Sequence, residues 1–212
     1  MKRGVDMAQG LFASISIAAA LLAPTSAAAQ VRDAMPVIIV RIDDKAGIEG
    51  SLLKLAESRA GEVFAMIGIH IAWIDGHEAN RLEFVTPYTV VLMAEASSSL
   101  KARIDRIGPD VMGQGAPLIG RAYIYYERVR DFDYDHVHDF KFPPRDIATT
   151  LGDVMAHELG HLMLPPGHST SGIMRPVINM TSRHLETFTT VEARTIRIRL
   201  SADQSETDED TK

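Results

Sequence analysis

The chain of 212 residues has no cysteine. That excludes disulfides, a thiolate nucleophile, a Cys-rich structural zinc site and lipoprotein acylation. It also lacks an excess of positive charge. Its 22 Lys and Arg face 28 Asp and Glu, a net charge of −6, and the basic residues are scattered. Nucleic acid is therefore not an expected partner. The apolar run at 11–22 is too short for a comfortable membrane-spanning helix, which needs about 20 residues. No Ser sits in a G-x-S-x-G elbow, so a serine nucleophile of that kind is excluded. There is no internal repeat and no long low-complexity linker.

What is present begins with Met1-Lys2-Arg3, followed by that apolar run and by Pro24-Thr25-Ser26-Ala27-Ala28-Ala29. A positive start, a short apolar stretch and a small-residue A-x-A end are the marks of a secretory signal peptide. Residues 1–29 are read as that signal, cleaved after Ala29, and the product as exported, periplasmic or extracellular, with no stable membrane anchor. Residues 30–200 then form one domain of a size that supports a sizeable core. The end, 201–212, carries Asp203, Glu206, Asp208, Glu209 and Asp210 against Lys212, and is expected to be an acidic, disordered tail.

Between these ends the pattern alternates. The β-branched run at 37–42 reads as a buried strand. Leu52, Leu55, Ala56, Ala60, Val63 and Phe64 recur at helical spacing across 49–67, and Gly68 ends that helix. Strands are expected at 69–74, 88–93 and 121–129. A short helix near 99–107 and a Gly-rich loop at 108–120 fall between the last two. A polar loop at 131–145 leads to the next helix, and a final helix is expected at 190–200, capped by Thr189 or Thr190. The fold class is α+β: a mixed twisted sheet of about four strands, a backing helix, a central motif helix, a turn and a C-terminal helix.

The motif helix carries the chemistry. Asp146 is a suitable N-cap, and Leu151, Met155, Leu159 and Leu162 recur as a core stripe. His157 and His161 lie one turn apart on another face, with Glu158 between them, in the pattern H-E-x-x-H. That spacing lets both imidazoles reach one ion, with the carboxylate near the water the ion would bind. Pro165-Pro166-Gly167 stops the helix and returns the chain to His168, a candidate third ligand. Ser171-Gly172-Ile173-Met174-Arg175-Pro176 follows, with Met174 a candidate apolar floor beneath the metal.

These residues resemble the zincin peptidases, and among them the metzincins. The resemblance rests on His157, Glu158, His161, His168 and Met174. It implies a zinc-dependent metallopeptidase in which the three His bind zinc and Glu158 is the general base. The expected substrate is a peptide or protein, lying extended along an edge strand, which would be 123–129. Two departures stand out. The metzincin pattern is H-E-x-x-H-x-x-G-x-x-H, but here Leu164 occupies the Gly position and the third His comes one residue late. No Tyr follows the Met-containing turn, since the last Tyr is Tyr134.

Other readings stay open. A gluzincin-type site would take its third ligand from Glu186 or Glu192. A zinc-binding module without turnover would not need Glu158. Asp153, one turn before His157, could accept the second ring N–H of a ligand His. His136 and His138, as H-x-H on an extended segment, could hold a second metal or simply line the rim of the cleft. Arg175 could face a substrate carboxylate or oxyanion, or bind only backbone. His70, His77 and His184 have no partner in sequence.

Overall fold

The computed structural model describes residues 35–76, 79, 88–137, 146–177 and 185–209, without the side chains of 133–137 and 203–209. The proposed signal at 1–29 lies outside them. Among the described residues, no helix is long and apolar enough to cross a membrane.

The fold is α+β. Strand β1 (Val37–Asp44) leads through helix α1 (Gly50–Ala65) to β2 (His70–Asp75), which pairs with β1 in parallel. Strand β3 (Tyr88–Met93) pairs in parallel with the other side of β1. Helix α2 (Glu95–Asp105) precedes a short strand β4 (Gly113–Ala116), a single 3-10 turn (Pro117–Ile119) and β5 (Arg121–Tyr125). Strand β5 pairs in parallel with β3 and antiparallel with β4, giving the order β2-β1-β3-β5-β4. Helices α3 (Tyr126–Val137), α4 (Ile147–Met163) and α5 (Thr190–Glu209) complete the fold.

The inner strands are apolar enough to be covered. Val40, Val90, Leu92, Ala122 and Ile124 are fully buried. Helix α1 contributes Ala56, Ala60, Val63 and Phe64 to the same core. It packs against β2 and along α4, which in turn covers β5 and β4. The four expected stripe residues of α4 (Leu151, Met155, Leu159 and Leu162) are at most 1% exposed. Glu49 caps α1 by accepting from the backbone N–H of Ser51 and Leu52, and Asp146 caps α4 by accepting from Thr149 N–H at 2.6 Å.

At the C-terminus α5 runs on to Glu209, through residues expected as a disordered tail, and three further sequence expectations need correction. First, the sheet has five strands, because part of the expected Gly-rich loop is β4. Second, the strand expected at 121–129 stops at Tyr125. Its parallel partner β3 ends at Met93, opposite Tyr125, so no ladder remains to extend it. The chain turns into α3, which buries Val129 and is tied down by Arg128, whose Nη1 donates to the carbonyls of Gly108 and Val111. The sheet edge on this side is therefore β4, not 123–129. Third, residues 131–137 are helical, which places His136 on a helix rather than on an extended segment. His138 lies outside the described residues.

Candidate metal centre

Helix α4 presents His157 and His161 at the mouth of a cleft of about 1040 Å³ that also takes in Glu158, His168, β4 and the start of α3. The His157 Nδ1 lies 2.7 Å from the Ile173 carbonyl. A carbonyl oxygen only accepts, so Nδ1 carries the proton and Nε2 is left with a lone pair. That Nε2 faces His161 Nε2 at 3.0 Å. The orienting partner of His157 is thus Ile173, not Asp153. Asp153 is 1% exposed and accepts from Arg59 Nε of α1 at 2.7 Å, so its carboxylate braces α4 against α1.

His168 arrives from the return loop. Leu164 ends α4 in an extended conformation (φ −106°, ψ 159°), and the left-handed turn that a Gly at this position would make is displaced to Gly167, at φ +130°. This accounts for the third His coming one residue late. The loop is closed by Ser169 N–H donating to the Met174 carbonyl at 2.9 Å. Ser169 Oγ donates to the Glu192 carboxylate, whose other oxygen accepts from Thr189 N–H and Oγ1. The ring centroids of His157, His161 and His168 lie 4.7 to 5.3 Å apart. One ligand atom from each His falls within 4.8 Å of the others, and this is the group among the described residues able to hold a metal ion.

The electrostatics suit such an ion. Burial lowers the His157 pKa, and it lowers that of His161 to about 4, with the neighbouring His157 and His168 adding to the effect. Both rings are therefore neutral at pH 7. Neutral imidazoles with converging lone pairs are a donor set that Zn²⁺ takes readily. Burial pushes the Glu158 carboxyl up to about 8, against a hydrogen bond from the Gly115 backbone N–H that stabilises its charged form.

Two contacts that sequence reasoning missed shape the site, and both depend on glycine. A Cβ at Gly113 would come 2.5 Å from Glu158 Cγ, and one at Gly115 would come 2.6 Å from His161 Cβ. Strand β4 can lie flush on the motif helix only because these side chains are absent. Beneath the helix, a Cβ at Gly160 would come 2.5 Å from Met174 Sδ and 2.8 Å from Phe188 Cε1. Met174 is 1% exposed and packs directly under the helix that carries His157 and His161. The Gly-Gln-Gly spacing was visible in the sequence, but nothing in it specified a partner.

No family model and no curated protein matches the chain. Among solved structures it is similar to the crystal structure of an archaemetzincin from Methanopyrus kandleri. The match has 14% identity and a TM-score of 0.43, and it covers 79% of this chain and 96% of that one.

Proposed function

We propose that the chain is an exported zinc-dependent metallopeptidase of metzincin type, with His157, His161 and His168 as ligands and Glu158 as general base. The observation that carries this reading is the convergence of three imidazoles on one point, with a carboxylate from the same helix beside them in an open cleft. A bound zinc ion would supply Lewis acidity, lowering the pKa of water towards ~7 and polarising a carbonyl. The charge of that ion would favour the ionised form of Glu158, which would then accept the proton of that water and pass it to the leaving amine. The Gly115 N–H holds its carboxyl in place, and the Ile173 carbonyl holds His157 in the tautomer that ligates. Glu192 is engaged by Ser169 and Thr189, which favours His168 over Glu192 as third ligand.

The test is metal analysis together with cleavage of a mixed peptide library, wild type beside Glu158→Gln. One zinc per chain is expected in both proteins, with activity lower by at least ~10²-fold in the variant, the usual scale for a lost general base. Zinc without cleavage in either protein identifies a binding module. Zinc binding that survives His168→Ala but not Glu186→Ala or Glu192→Ala moves the third ligand to that glutamate.

A further inference from the structure

We propose that Arg175 is a carboxylate-binding residue of the cleft, so that the protein selects peptides bearing a carboxylate near the metal centre. The inference rests on the peptidase reading and names its substrate class. Arg175 lines the same cleft as the three His and Glu158. Its backbone is pinned: it follows buried Met174, and its N–H donates to the Gly172 carbonyl at 3.3 Å. Its side chain is half-buried and makes no hydrogen bond or ion pair with any described residue. Its guanidinium nitrogens are not buried, so an anion entering the cleft can reach them.

Among the described residues, the other charges along the cleft do not supply that anion. Arg128, the second cleft arginine among the described residues, is spent. Its Nη1 donates to Gly108 and Val111 at 2.8 and 2.7 Å, and its guanidinium lies 4.7 Å from the Tyr125 ring centroid. Asp131 is paired with Arg130 at 2.9 Å, and Asp110 is exposed on the loop before β4. Glu158 is held at Gly115. Arg175 therefore presents an uncommitted fork of donors, the geometry that takes a carboxylate through two parallel N–H···O bonds. A carboxylate so held would fix the peptide relative to the His cluster. It could come from a free C-terminus or from an Asp or Glu side chain.

The test uses the full chain, zinc-loaded and carrying Glu158→Gln so that peptides bind without turnover. Calorimetry compares matched peptides with a free or an amidated C-terminus, and with Asp or Glu against Asn or Gln. One acid–neutral pair is expected to differ by about tenfold or more, the scale of a charge-assisted hydrogen bond. The pair that differs identifies the source of the carboxylate. Adding Arg175→Gln should collapse that ratio towards one, and Arg175→Lys should restore part of it. In active protein the same loss should appear as a raised KM for the acidic peptide. A ratio near one in the parent, or one unchanged by Arg175→Gln, overturns the subsite alone. A zinc-loaded protein that binds no peptide overturns the peptidase reading and the subsite with it.

Discussion

Removal from water shifts Glu158 and the two helix histidines in opposite directions, and the metal-free protein should show it. Burial disfavours the charged form of each group, so the carboxyl shifts up and the imidazoles shift down. For Glu158 the folded value is about 8 against 4.5 unfolded. Its contribution is complete below 4.5 and is lost as pH rises towards 8, because the unfolded chain gives up its proton first. For the histidines the folded values lie below 6.5, that of His161 at about 4. Their contribution is complete above 6.5 and is lost as pH falls towards 4. Chelator-treated protein is therefore expected to draw most stability from these groups near pH 6.5. Glu158→Gln removes only the alkaline limb. Its melting temperature relative to wild type should climb steadily between pH 4.5 and 8, and a gap that stays constant with pH would mean the carboxyl is ionised throughout. The site histidines were legible in the sequence because their spacing is a helical repeat. The partner of His157 is not, because a backbone carbonyl carries no side-chain signature, and Asp153, one turn before it, accepts from Arg59 instead.

The elements around α4 differ in how openly the sequence announced them. The motif helix has a cap, a four-residue apolar stripe and a proline stop, all local signals that agree. Strand β4 has none: Gly113-Gln114-Gly115-Ala116 lacks β-branched residues and alternation, and it becomes a strand only by pairing with β5. Helix α3 was hidden for the opposite reason, since Tyr126 and Val129 extend the β-prone run of Tyr123 to Tyr125 and only the end of the partner strand stops the ladder. The glycines of β4 are expected to matter through contact rather than flexibility. Gly115→Ala places a methyl against His161 Cβ and within 3.3 Å of the Glu158 carbonyl, so the edge strand must lift off the helix. Such a lift displaces the N–H that holds the Glu158 carboxyl. Activity should fall ~10²-fold, as for a small misplacement of catalytic groups, while far-UV circular dichroism and zinc content stay close to wild type. Gln114→Ala, one residue away, has no such collision to create and serves as the control; equal losses in the two would remove the close-approach explanation.

At the scale of the whole molecule, the site joins α4 to a return loop whose far end, Ile173 and Met174, is held in the core but whose first half is not. The sheet and α1 bury their apolar surface without any site residue. The return loop is different: Pro165, Pro166, Gly167 and His168 are all exposed, and the loop depends on the bond from Ser169 to Met174 and on the Ser169–Glu192 contact. A zinc ion bound by the three His would add a strut between α4 and this loop. Since zinc would bind the folded chain far better than the unfolded one, linkage should add ~2.7 kcal/mol when free zinc is 100 times its dissociation constant. With no disulfide to compensate, a chelator should lower the melting temperature, and zinc should restore it. Hydrogen exchange should then loosen 165–176 first, because local opening follows the fewest buried contacts. Strands β1, β3 and β5 should stay protected. Loosening spread evenly over the sheet would mean that the site is integral to the core, and identical exchange with and without chelator would mean that the three imidazoles converge without holding an ion.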